Sequence, residues 1–208
     1  MKSDIAFSPS VKAEQTRLGS REAMQRQMAE QDWPDRISDN LAAFLAQRDS
    51  FYMATANAEG QPYIQHRGGP RGFLKPMGPA TLAFADFSGN RQYISLGNLA
   101  ENPRVTLFLM DYANSSRVKI WGRARVVEGD DALLTQLSDP AYSARVERAI
   151  VIDLHAWDVN CPQHIPELYD AALIRQATAK LSARIAELEA ENAELRGWLG
   201  NNGTVPRG

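Results

Sequence analysis

The sequence holds a single cysteine, Cys161, so no disulfide can form within one chain. It holds no apolar run long enough to cross a membrane. Its first residues, MKSDIAFSPSVKAEQ, contain no apolar stretch of the kind a secretory leader needs. A cytoplasmic location, with no membrane partner, is the expectation. Basic charge is not in excess either: 23 Lys and Arg stand against 25 Asp and Glu, a formal net charge of −2. Long polyanions select broad basic surfaces, so nucleic acid is not expected as a partner. Cys161 and His164 are close in sequence, but two ligands do not make a closed zinc site, and no metal is expected.

What the chain does have is local. The stretch YIQHRGGPRGF, residues 63–73, ends a strand-like run in basic residues, three glycines and a proline. No Asp or Glu occurs between Glu59 and Asp86, while Arg67, Arg71 and Lys75 fall in that interval. Such a gap suits a small anion; the alternative is a solvated loop whose charge is incidental. The loop is no dinucleotide fingerprint, because that motif needs a helix directly after its glycines. Here Pro76 and Pro79 forbid one.

The rest of the chain supplies the frame. Residues 1–18 read as an arm and 19–31 as a polar helix broken by Trp33-Pro34. Ser38 is a candidate N-cap for a helix carrying Leu41, Phe44 and Leu45. Six strands follow, at 51–57, 62–67, 81–86, 105–112, 118–128 and 149–154, with short helices at 91–101, 130–137 and 140–148. Mostly short turns between strands predict an antiparallel barrel with peripheral helices. Alternation puts Tyr63, Gln65 and Arg67 on one strand face and Ile64 and His66 on the other. From Ile174 the apolar spacing alternates four and three through Leu181, Ile185, Leu188, Leu195 and Leu199, with Asn192 in the series. That is a heptad pattern, read as a coiled coil; the alternative is one amphipathic helix packed on its own domain.

A second element complements the glycine-rich loop. Gly89-Asn90-Arg91-Gln92 lies between a strand and the helix expected from Arg91. Free N–H groups in a first helical turn favour an anion. Arg67 and Arg91 at neighbouring strand ends would grip one phosphate, beside a sheet edge that takes a planar ring. A planar ring with one phosphate points to flavin mononucleotide, FMN.

The run from Phe51 to Glu128 resembles the pyridoxamine 5'-phosphate oxidase-like, FMN-binding split barrels. The resemblance rests on QPYIQHRGGPRGF, on ADFSGNRQYISLGNLAENPRVTLFLMDY and on VKIWGRARVVE, and covers roughly residues 36–165. It implies a mainly β fold with peripheral helices: a six-stranded antiparallel split barrel, a homodimer, and FMN held between subunits. The expected organisation is an N-terminal arm and helix at 1–35, the FMN-binding barrel at 36–170, a C-terminal coiled-coil helix at 171–200 and a flexible tail at 201–208. By the same resemblance Gln65, His66, Arg67 and Gly68 follow the ring edge and ribityl chain, and Phe87 and Ser88 continue the site. Asn90, Arg91 and Gln92 hold phosphate, while Trp157, Asn160 and Gln163 approach the flavin or the substrate pocket; the alternative is a loop that packs under the barrel. Two departures stand out. The biosynthetic oxidase typically has an Arg-Lys pair where this chain has Arg91-Gln92, and its C-terminal substrate segment is not recognisable here.

The expected activity is an FMN-dependent oxidoreductase acting on a small molecule, with no catalytic acid or base identified. NADH, NADPH or another planar donor remains open as its partner. The rival expectation is a non-catalytic flavin- or haem-binding carrier or sensor that recruits a partner through the coil. The deazaflavin F420 ranks below FMN.

Overall fold

The computed structural model describes residues 1–159 and 162–202. They fall into two compact units, Met1–Ile165 and Pro166–Gly208. The first opens with a 3₁₀ turn at Lys2–Ile5 and the helices α1 (Pro9–Arg17), α2 (Arg21–Glu30) and α3 (Asp39–Ala46). Strands β1 (Ser50–Ala56), β2 (Pro62–Gly68), β3 (Lys75–Gly78) and β4 (Thr81–Phe87) follow. Then come α4 (Ile94–Glu101), β5 (Arg104–Asp111), β6 (Ser116–Val127), α5 (Asp131–Leu137) and β7 (Val146–Val159). The second unit holds one long helix, α6 (Ala171–Asn202). Of the tail expected at 201–208, residues 201 and 202 belong to α6, and 203–208 lie outside the described residues.

All seven strands form one sheet in the order β2-β1-β5-β6-β7-β4-β3, every pairing antiparallel. The sheet thus has seven strands where six were expected. The extra strand, β3, contains Pro76 and lies at a sheet edge, where proline is tolerated because no ladder N–H is needed on the open side. A second correction concerns residues 140–148. They form no helix, and β7 begins at Val146. Val146, Arg148 and Ala149 pair with Phe87, Asp86 and Ala85, so tertiary pairing overrides the local helical pattern. A third concerns the arm, whose residues 9–17 are helical with Ser8 as N-cap.

Alternation builds the core. Phe51 and Met53 on β1, Leu82 and Phe84 on β4, Leu107 and Leu109 on β5 and Ile150 and Ile152 on β7 are all buried. Phe51 stacks on Phe73 at 5.4 Å and meets Phe84 edge-on at 5.2 Å. Since β1 and β4 are far apart in the ladder order, this packing shows the sheet curled upon itself. Ser38 caps α3 by accepting from the Leu41 N–H, and Leu41 and Leu45 close one end of the core.

The glycines have structural work. The N–H groups of Gly69 and Gly72 donate to the carbonyls of Asp49 and Arg48, so the loop is tied to the start of β1. Gly72 has φ +74°, and a Cβ there would lie 3.2 Å from the Ala46 carbonyl. These N–H groups are therefore committed within the chain. At Gly122, where the β6–β7 register shifts, a Cβ would lie 2.3 Å from the Asp153 carbonyl. Gly122→Ala is expected to cost about 1–3 kcal/mol, seen as a lower urea midpoint.

Candidate functional site

The inner face of β2 carries Tyr63, Gln65 and Arg67, all half-buried, as alternation predicts. β2 is an edge strand and does not pair with β4. Side chains bridge the gap. The Arg67 Nη1 donates to the Asp86 Oδ1 at 2.5 Å. Arg148, the cross-strand partner of Asp86, donates to its Oδ2 at 3.3 Å. Arg148 also meets Glu128 at 3.0 Å and Glu147 at 3.1 Å, and its guanidinium lies 5.5 Å from the Tyr93 ring centre. One buried carboxylate thus holds two largely buried guanidiniums.

Beside this bridge lies a hollow of ≈ 200 Å³. Gln65 and Arg67 come from β2, Asp86 and Phe87 from β4, and Glu147 and Arg148 from β7. Gly89, Asn90, Arg91 and Tyr93 of the next loop, with Ser95 and Leu96 of α4, complete its wall. Ser95 Oγ donates to Gln65 Oε1 at 2.9 Å, and the buried Asn98 Nδ2 donates to Thr55 Oγ1 at 2.9 Å. These bonds dock α4 on β2 and β1 and give the NLAENP phrase a physical role. Asn98→Leu leaves the buried Thr55 hydroxyl without its donor, an expected loss of about 1–3 kcal/mol in a denaturant titration.

The lining groups carry three arginines against two carboxylates, a net cationic hollow. Burial lowers the pKa of the Arg67 guanidinium, and Asp86 opposes that shift. Burial also disfavours the Arg148 charge, but Glu128, Asp86 and Glu147 outweigh it and raise its pKa. Both remain cations at neutral pH. Arg67 Nε is buried and has no hydrogen-bond acceptor among the described residues. A buried charged donor without a partner is costly, and an anionic oxygen is the group that would satisfy it.

Of the expected site residues, Gln65, Arg67, Phe87, Asn90 and Arg91 line this one hollow. The others do not. His66 lies on the opposite face of β2, edge-on to Tyr52 at 5.5 Å. Gly68 ends β2 opposite Ser50. The Ser88 N–H donates to the Arg145 carbonyl, and Gln92 is an exposed loop residue whose N–H donates to Asn90 Oδ1. Trp157 packs against the barrel core, and its Nε1 donates to the Arg36 carbonyl at 2.8 Å. Gln163 is exposed in the turn after β7, and Asn160 lies outside the described residues.

Helix α4 begins at Ile94, not at Arg91. Arg91 and Tyr93 both have left-handed backbone, φ +59° and +54°, which keeps residues 91–93 out of the helix, so the expected anion-binding turn does not form there. Arg91 therefore lies in a strained loop ahead of α4, and only its side chain lines the hollow. Sequence reasoning missed Asp86 and Arg148. The first was legible as a lone charge on the inner face of an apolar strand; the second was hidden by the misread helix.

A larger groove of ≈ 790 Å³ borders Trp121, Arg104, Arg123 and His155, with Trp33 stacked on Trp121 at 4.6 Å. Arg104, Arg123 and His155 are exposed there, and no lining side chain has a buried unpaired donor.

The family model described as pyridoxamine 5'-phosphate oxidase matches residues 37–192. The chain belongs to that family. No curated protein sequence matches it significantly. Among solved structures it is similar to an FMN-binding protein from Syntrophomonas wolfei, at 15% identity and a TM-score of 0.47, over 72% of this chain and 97% of that one. It is also similar to a putative pyridoxamine 5'-phosphate oxidase from Lactobacillus delbrueckii, at 18% identity and 0.46, over 60% and 95%. A third is HutZ, the heme storage protein of Vibrio cholerae, at 17% identity and 0.39, over 60% and 94%. Likenesses this distant transfer no ligand. As a pyridoxamine 5'-phosphate oxidase family member, the chain has the mainly antiparallel, split-barrel-like fold described above, with a long C-terminal helix. No described helix is long and apolar enough to cross a membrane.

Proposed function

We propose that this family member binds FMN and is an oxidoreductase acting on a small molecule. The observation that carries the proposal is Arg67: it lines a cationic hollow and holds a buried Nε–H with no acceptor. The donor set fits a phosphate. Arg67 and Arg148 supply guanidiniums fixed by Asp86, Arg91 supplies a third, and Asn90 and Ser95 add neutral polar groups. Arg148 thereby provides the second cation that Gln92 does not.

At ≈ 200 Å³ the hollow is smaller than the roughly 300 Å³ at which small-molecule pockets begin, so it accounts for the phosphate end alone. A second copy of the chain would complete the site. Tyr52 and Ile64, 39% and 61% exposed on the outer face of β1 and β2, are suited to such a homodimer contact. Bound flavin would supply hydride or electron transfer. The chain's own residues would bind and orient it: Arg67 and Arg91 at the phosphate, Gln65 held by Ser95, and Phe87 as an apolar wall.

The test is spectroscopic. Purified protein should carry or take up FMN, showing a yellow flavin spectrum, and should bleach on anaerobic addition of NADH or NADPH. Flavin that stays oxidised with every common donor would make the protein a carrier or sensor. A haem spectrum with no FMN uptake would overturn the reading.

Arg91→Gly gives a separate check. Glycine accepts φ +59° without strain but frees the unfolded chain, and the two effects largely offset, so stability should change by less than about 1 kcal/mol while FMN affinity falls. Thermal denaturation of the apoprotein and a flavin titration read the two effects independently.

A further inference from the structure

Every described residue of α6 from 171 to 199 is exposed. Ile174, Leu181, Ile185, Leu188, Leu195 and Leu199 are 44–65% exposed, and they fall on one stripe with alternating spacings. Isolated helices are marginal in water, and a continuous apolar stripe of this length needs a partner.

The charges identify that partner. In the heptad frame Ile185, Asn192 and Leu199 occupy a positions, and Leu181, Leu188 and Leu195 occupy d. Arg184 and Glu191 then stand at g, and Glu189 and Arg196 at e. Arg184 and Glu189 are five residues apart, as are Glu191 and Arg196, with the signs reversed. On one helix a five-residue spacing separates side chains by about 140°, so neither pair can meet within a chain. Arg184 instead bonds to Glu187 of its own helix at 2.8 Å. Across a parallel two-stranded coil, g and the following e of the partner are neighbours, and each pair is complementary. Asn192 narrows the arrangement further. A seam asparagine at a is satisfied by its own counterpart, which requires two identical helices, parallel and in register.

We infer that α6 pairs with the α6 of a second copy of this chain as a parallel, in-register, two-stranded coiled coil. Ile185 at a with leucines at d favours two strands over three or four. This pairing is independent of the flavin reading, since it uses no residue of the hollow.

Cysteine cross-linking of the full chain tests it. On a Cys161→Ser background, Leu195→Cys places a thiol in the seam and Ala190→Cys places one on the outward f position. Mild oxidation should give a disulfide-linked dimer as the main product for Leu195→Cys and little for Ala190→Cys. An antiparallel pair centred on the helix would hold the two 195 positions roughly 25 Å apart, far beyond disulfide reach. Adding Asn192→Asp, which opposes two carboxylates in the seam, should abolish the Leu195→Cys dimer without unfolding an exposed helix. Failure of Leu195→Cys to cross-link, whether because α6 is antiparallel or because it serves a different protein, would overturn the inference. So would equal cross-linking at both positions, or a dimer indifferent to Asn192→Asp.

Discussion

Arg67→Ala should lower FMN affinity by about 10- to 100-fold, the loss expected for one charge-assisted bond worth about 1.5–3 kcal/mol. Arg67 is the residue whose loss the hollow cannot make good. Its Nη1 is held by Asp86, which fixes the side chain, and its buried Nε has no acceptor within the described chain. A ligand anion in the hollow would gain a preorganised guanidinium at little entropic cost. Arg71→Ala, in the turn after β2, should leave affinity unchanged, because Arg71 does not line the hollow. Flavin fluorescence titration of both variants, with thermal denaturation of each apoprotein, separates lost binding from lost folding. Equal retention of flavin by both would count against the assignment.

Asp86→Ala should destabilise the apoprotein by about 3–5 kcal/mol, since removing one partner of a buried ionic cluster strands the other charges. For a chain of this size that is a fall of about 6–20 °C in melting temperature. Here two guanidiniums, Arg67 and Arg148, lose the carboxylate that joins them, and Arg148 keeps Glu128 and Glu147. The vacated position lies beside both arginines, Arg148 still held by Glu128 and Glu147, and is itself an anion site. Added FMN or inorganic phosphate should therefore raise the melting temperature of Asp86→Ala by more than it raises that of the parent. Equal shifts would mean that the ligand does not use the guanidiniums Asp86 holds.

How much of this was legible depends on the residue. The β1–β2 hairpin and the inward row Tyr63, Gln65, Arg67 followed from alternation and from the turn Asn57–Gly60, because one buried face fixes the register. The placement of Arg67 and Arg91 around one hollow followed from reading two loops as neighbours. β3 was lost because a proline in an edge strand looks like a loop. Arg148 was lost for a different reason. Residues 140–148 have a local helical pattern, and only the pairing of β7 with β4 makes Arg148 the neighbour of Asp86. Nor does the glycine-rich loop show in sequence that Asp49 and Arg48 accept two of its N–H groups. Each miss is a case where a partner distant in sequence decides the local conformation or the free valence.

The most direct measurement compares FMN with riboflavin, which share the ring and differ by the phosphate. The hollow offers at least two charge-assisted donors to that phosphate, so FMN should bind at least about 100-fold more tightly. Riboflavin binding as tightly as FMN would mean that Arg67, Arg91 and Arg148 hold no ligand anion.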